Sequence, residues 1–208
     1  MRGFDWRLMC LGCVAMLSTG CTSFGRPDVP PTIYDITPTV DSIRRVGFPM
    51  SSLEVLAPSW LSSSAMQYRF EPGNPLERRF FATSRWAGMP AEMVEVVFSR
   101  VIQTEPAANG SGCRLRVDLD EIIQRFETAE QSSGLIEIRA SLLAPRTDVI
   151  VAYRAFVAES PAPTADAAGG VVALRSGVNS LTVELADWLT SLERAGGESN
   201  NVAKRCAR

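Results

Sequence analysis

Four carboxylates crowd one strand-like stretch of the chain: Asp118, Asp120, Glu121 and Glu127. Carboxylates in such proximity can serve as an acid and a base, or can hold a hard cation. The surrounding alternation argues for a plainer role. Asp118 and Asp120 interleave with Leu115, Val117 and Leu119, which sends them to the solvated face of a sheet. The chain has no histidine, which excludes Ser-His-Asp and Cys-His catalysis, histidine-ligated zinc and an imidazole pH switch. Ser84 therefore has no histidine base, and Ser132-Ser133-Gly134 lacks a nucleophile-elbow context. Gly169-Gly170 lacks the lysine and the spacing of a phosphate loop. The basic residues are 20 arginines and the single Lys204, which falls in a polar C-terminal stretch. No metal-ligand cluster and no cofactor motif stands out, so the expectation is a protein that is not an enzyme.

The cysteines carry the more specific chemistry. Arg2 and Arg7 form a short positive region, Leu8–Leu17 is an apolar run broken only by Gly12, and Leu-Ser-Thr-Gly-Cys follows at positions 17–21. Ten apolar residues are too few to span a bilayer, and the layout is that of a secretory signal over residues 1–20. Gly20 before Cys21 resembles a lipoprotein cleavage site, at which Cys21 would become the lipid-bearing N-terminus. The leucine stands four residues before Cys21 where three is usual, and an ordinary cleaved signal is the alternative. Three acyl chains would hold the protein durably in a bilayer, at about 0.8 kcal/mol per buried CH₂. Thr22 stands where an aspartate is the usual inner-membrane retention signal, so the resemblance to a lipoprotein signal implies the periplasmic face of the outer membrane as the expected destination. Cys113 and Cys206 remain, and an oxidising compartment favours a bond between them. Two free thiols are the other possibility.

Apolar residues make up 46% of the 208 and charged residues 21%, with a net charge of −2. This is globular composition, sufficient for one core and without a basic surplus for nucleic acid. Residues 21–32 hold Gly25, Pro27, Pro30 and Pro31 and read as a flexible tether. A domain is expected over 33–195. Short strands are predicted at Ile33–Pro38 and Leu53–Leu56, followed by a hairpin of Met66–Phe70 and Arg79–Ala82 about the turn Pro72-Gly73-Asn74-Pro75. Helical spacing of Met93, Val94, Val97, Phe98 and Val101 predicts a helix over Ala91–Thr104, with Pro90 at its first turn. Strands at Arg114–Leu119, Leu135–Leu142 and Val149–Val157 suggest a meander. A loop over Ser160–Gly170 and a long amphipathic helix over Val171–Arg194 follow, and residues 196–208 form a polar tail. The fold class is α+β: one domain with a mixed or antiparallel sheet and two main helices packed on one face. Trp60, Phe80, Phe81, Trp86 and Trp188 are expected in the core, with partner or lipid contact as the alternative. Trp60 is the best candidate for exposure, because it lies in the irregular stretch Pro58–Ser64.

Several segments in order carry a resemblance: the lipoprotein signal, Tyr34-Asp35-Ile36-Thr37-Pro38, Met66-Gln67-Tyr68-Arg69, Ser84-Arg85-Trp86-Ala87 before a helix, Leu115-Arg116-Val117-Asp118-Leu119, and Asp187-Trp188-Leu189 in the last helix. Together they resemble the ABC-type transport auxiliary lipoprotein family, the PqiC/YmbA-like proteins, from about Tyr34 to Leu192. The Cys113/Cys206 pair departs from that pattern. The resemblance implies a non-enzymatic outer-membrane lipoprotein. It implies docking on a periplasmic MCE-domain protein and an ABC transporter that move lipids or other hydrophobic molecules between membranes. It also allows a homo-oligomeric ring. Tyr68, Arg85 and Trp86 match family-typical positions, expected to fix the sheet-to-helix junction first and to meet a partner second. A stand-alone periplasmic lipid carrier, with a groove between sheet and helices, is the alternative function.

Overall fold

One long strand organises the sheet. In the computed structural model, which describes residues 29–36, 43–105, 111–194 and 202–207, the unit from Pro31 onward is compact. Its elements run β1 (Thr32–Tyr34), β2 (Arg44–Leu56), a 3₁₀ turn (Ser59–Leu61), β3 (Ala65–Phe70), β4 (Arg79–Trp86), α1 (Pro90–Val101), β5 (Ile102–Glu105), β6 (Cys113–Phe126), β7 (Ser132–Leu143), β8 (Ile150–Pro161), α2 (Ala167–Arg194) and α3 (Val202–Cys206). β6 pairs along its whole length with β7, antiparallel. Its other side is shared. β2 runs parallel to the first half of β6, and β3 runs parallel to its last residues, Gln124–Phe126. β7 and β8 complete the antiparallel meander. β3 and β4 form the expected hairpin, and the short β1 and β5 close two edges by parallel pairing with β4 and β2. The sheet is thus mixed, and the class is α+β as expected.

The face of the sheet under the helices is dry. Phe48, Leu115, Leu119, Ile136, Ile138 and Leu142 are fully buried there beneath Phe98 of α1 and Leu174 and Leu181 of α2. Each such side chain withdraws apolar area worth about 1.5–3 kcal/mol from water. α1 starts with Pro90 at its first helical position, where no N–H is needed. It ends at Ile102, which turns extended while its N–H still donates to Phe98 O.

That ending corrects the predicted helix Ala91–Thr104. Ile102–Glu105 is instead the parallel edge strand β5, because the apolar periodicity stops at Val101 and the β-branched residues that follow pair with Arg44–Pro49. β2 begins nine residues earlier than predicted. Pro49 hides this from the sequence, but it sits at a register shift, the kind of irregular position where a strand accommodates proline. α2 begins at Ala167, inside the predicted loop. Asp166 caps it: its Oδ1 accepts from the Gly169 N–H at 2.8 Å and from the Thr164 hydroxyl at 2.8 Å. These donors, the Gly169 amide foremost, hold the Asp166 carboxyl below its ordinary pKa. Gly170 looks like a helix breaker, yet a Cβ there would stand 1.9 Å from Gln124 Oε1 on β6, and at Gly134 a Cβ would stand 2.8 Å from the Leu174 amide nitrogen. These glycines let helix and sheet touch backbone to side chain. Part of the expected polar tail is α3, with Val202 and Cys206 buried against β2. Cys206 is joined to Cys113 by a disulfide, with Cα atoms 4.8 Å apart, fixing α3 to the start of β6.

Candidate docking surface on the open face of the sheet

The opposite face of the sheet carries the charged residues. Between Leu119 and Glu121 the β6–β7 register shifts by a bulge. Before the bulge the odd-numbered residues of β6 point to the helices; beyond it Ile122 does, opposite Ile136. Simple alternation would have driven Glu121 into the core, and the bulge turns it to the open face instead. There it is still 9% exposed, because arginines cover it. Arg78 donates to both carboxylate oxygens, at 3.0 and 2.6 Å, and Arg69 approaches at 3.4 Å. This corrects the expectation that the acidic set is uniformly solvated. Asp118 and Asp120 do follow it, paired at the surface with Arg116 at 2.8 Å and with Arg139 at 2.6 and 2.7 Å. Glu127 accepts a hydrogen bond from Ser133 Oγ at 2.6 Å, well apart in the hairpin that follows. Among the described residues no cluster of acids or cysteines is arranged to hold a metal ion.

The Glu121 network continues to an aromatic. Arg78 also donates to Gln67 Oε1 at 2.8 Å, and Gln67 Nε2 donates to the Trp60 carbonyl at 2.7 Å. Both polar ends of this buried glutamine are used, one toward Arg78 and one on the 3₁₀ turn, whose Leu61 is buried. The turn holds Trp60 outward at 56% exposure, as the irregular sequence around it suggested. Beside the indole lies a shallow cleft of about 350 Å³ with Leu56, Ala57 and Pro58 as its apolar lining. The ion pairs Arg116–Asp118 and Arg139–Asp120 form its rim. An anchored aromatic, an apolar floor and an arginine-rich rim are the composition of a protein-docking patch. Another shallow cleft, of about 280 Å³ between α1 and the residues that follow β1, is lined by Ile36, Met93, Val96 and Arg100. The space between sheet and helices, where a carrier would keep its groove, is filled by Phe98, Leu174, Leu181 and Leu185.

The other singled-out residues lie elsewhere. Tyr68 packs its ring against Phe81 at 4.7 Å and Phe126 at 5.4 Å, at the far end of β3. Arg85 donates to the carbonyls of Phe81 and Ser84 on its own strand. Trp86 is 4% exposed in the core, and its amide donates to Ser64 O at 2.8 Å. The next amide, Ala87, donates to Tyr34 O at 2.7 Å, so this pair ties β1, β3 and β4 together just before α1. Trp188 is buried with its ring edge-on to Phe156, while Phe80 is exposed, against expectation, because it alternates to the outside of the short β3–β4 hairpin. Cys21 lies outside the described residues. Arg78 and Gln67 are the site residues that sequence reasoning missed. Arg78 stands at the end of a turn, where no periodicity marks it.

A model of the family described as the ABC-type transport auxiliary lipoprotein component matches residues 50–186. The chain belongs to that family. The match runs from the middle of β2 to the second half of α2, so it includes the bulge, the Glu121 network and Trp60. Two solved structures share the fold. One is a Xanthomonas campestris protein assigned to the family model DUF330, 20% identical with a TM-score of 0.62, covering 79% of this chain and 99% of its own. The other is described only as an uncharacterized protein, 14% identical with a TM-score of 0.58, covering 77% of this chain and 99% of its own. No curated protein matches the chain.

Proposed function

We propose that this family member is a lipid-anchored, non-enzymatic docking component of an MCE-type ABC transport system, held on the periplasmic face of the outer membrane through Cys21. Its task in that reading is to position the periplasmic MCE assembly against the membrane, so that lipids or other hydrophobic molecules pass between membranes. ATP hydrolysis elsewhere in the system supplies the energy. The observation that carries the reading is the family match over residues 50–186, in a chain whose Leu-Ser-Thr-Gly-Cys segment ends at Cys21. Support comes from the chemistry of the domain: its buried carboxylate is satisfied by arginines, and Trp60 is held out over an apolar cleft.

Two measurements test it. Metabolic labelling with a fatty-acid analogue should mark the wild type and not Cys21→Ala. Detergent-extracted protein should co-purify with a co-expressed MCE-domain protein, and Trp60→Ala should weaken that association by about 30-fold, a hot-spot loss of about 2 kcal/mol. Absence of co-purification with the partner present rejects the docking role.

A further inference from the structure

Among the described residues β8 is the one long edge of the sheet with no strand or segment paired on its outer side. The other edges are three residues (β1) and four residues (β5) long, whereas β8 is twelve and, among the described residues, pairs with β7 alone. Proteins usually blunt such an edge with proline, charged side chains, a bulge or a covering segment; β8 has a register shift between Ile150 and Ala152, Pro161 at its end, and Arg154 and Glu159 as its charges. From Ala152 to Ser160 the register with β7 is regular, and no proline or lysine interrupts it. At the end of the ladder the Ala162 N–H donates to the Ser132 carbonyl at 2.8 Å. In an antiparallel pair the amides of alternate residues face the partner strand. The even-numbered residues of β8 therefore turn their amides to β7, and Tyr153, Ala155, Val157 and Glu159 turn theirs outward. On the open face of the sheet Tyr153 and Val157 are 54% and 59% exposed.

The charge along this edge selects the occupant. On the helix side of β8 the exposed Arg154 lies over the Phe156 ring at 5.0 Å. Among the described residues Arg154 makes no ion pair. That side of β8 reads Ala152, Arg154, Phe156, Ala158 and Ser160, with no anion. A second copy of the chain, paired antiparallel edge to edge, keeps like faces together, so it could never set a carboxylate opposite Arg154. A foreign strand can.

We propose that β8 is a strand-addition site that accepts an extended segment of another protein, with apolar residues opposite Tyr153, Ala155 and Val157 and a carboxylate opposite Arg154. Main-chain hydrogen bonds supply the binding, and the alternating side chains supply selectivity. The inference stands on the sheet alone and does not depend on lipid anchoring or on the identity of the transported molecule.

The test uses the full-length protein in detergent micelles and a fluorescein-labelled peptide, Thr-Val-Thr-Val-Glu-Val-Thr, whose valines oppose the outward amides in antiparallel pairing. Anisotropy should show saturable binding. Replacing the peptide glutamate by lysine should weaken it roughly fivefold, the scale of a cross-strand charge pair, and N-methylation of the valine amides should abolish it. Arg154→Glu, a surface change that leaves the core intact, should reverse the preference so that the lysine peptide binds more tightly. Equal binding of both peptides without reversal in Arg154→Glu, or no binding of either, overturns the proposal. A disulfide-linked homodimer of Ala155→Cys, mapped to position 155 by mass spectrometry, would put a second copy on the edge and overturn it as well.

Discussion

The two faces of this sheet bury side chains by different means. Under α1 and α2, aliphatic residues and Phe48 and Phe98 fill the space, with polar groups confined to places such as Gln124 and Thr182. On the open face, charge shares in the burial: Glu121 is covered by Arg69 and Arg78 and tied through Gln67 to the Trp60 turn, beside the buried Leu61 and Ile123. The first face is tolerant in geometry and costly to hollow out. The second is directional, and its removal should disturb one surface feature more than the whole fold. The bulge at Leu119/Glu121 is the boundary between the two, since it assigns a carboxylate to the open face that strict alternation would have buried among leucines.

Truncating the closed face should cost most. Phe98→Ala should lower stability by about 3–5 kcal/mol in urea unfolding, because α1 cannot collapse onto the gap it leaves. Cys206→Ser, which frees α3 from the start of β6, should cost about 2–5 kcal/mol, and the denatured, unreduced wild type should show neither Cys113 nor Cys206 as a reactive thiol. On the open face, Glu121→Gln leaves Arg78 and Arg69 without their counter-charge. A loss of about 2–3 kcal/mol is expected, below the figure for a fully buried pair because the arginines are partly solvated. The same change at the surface pair, Asp120→Asn, should cost under about 1 kcal/mol and fade in high salt. If Glu121→Gln and Asp120→Asn prove equal, the distinction between a covered and a solvated open face fails. Asp166→Ala should cost about 1 kcal/mol through the α2 cap. The folded carboxyl of Asp166 titrates below its ordinary value. Its contribution is therefore full above the ordinary carboxylate range and declines as pH falls through the folded pKa. Wild type and Asp166→Ala should converge in stability in acid.

The meander, the hairpin and both main helices were legible because each writes its burial as a period: two residues in Arg114–Leu119 and 3.6 in Met93–Val101. The ends were not. β6 continues seven residues past Leu119, but the bulge shifts the phase, and Ile122 and Ile123 are then both buried on opposite faces. Pro49 and Gly170 spell interruption locally, and tertiary context overrules them at a register shift and at a close helix contact. Of the candidate surface, Trp60 was legible from its irregular setting. Glu121 was visible as a carboxylate but not as a buried one, since its partners stand 43 and 52 residues away along the chain. Tyr68, Arg85 and Trp86 were picked out by family pattern: Tyr68 packs on the Phe81 ring, Arg85 donates to the Phe81 carbonyl, and Trp86 is buried in the core.

The long helix has a graded contact surface. Its first turns bury Gly170, Ala173 and Gly177 beside Val171, Leu174 and Val178, and its later turns bury the larger set Leu181, Leu185, Trp188 and Leu189. The gap it fills is therefore a wedge, narrow at Gln124 and Gly134 and wide at Phe156. A helix with a repeating contact pattern can slip one turn along its axis and find an equivalent seat. This one cannot: a shift toward the narrow end drives leucines into backbone, and a shift the other way opens voids beneath glycines. The taper acts as a mechanical stop that sets the axial position of α2, together with the hydrogen bond from Gln124 Nε2 to the Asp166 carbonyl at 3.0 Å.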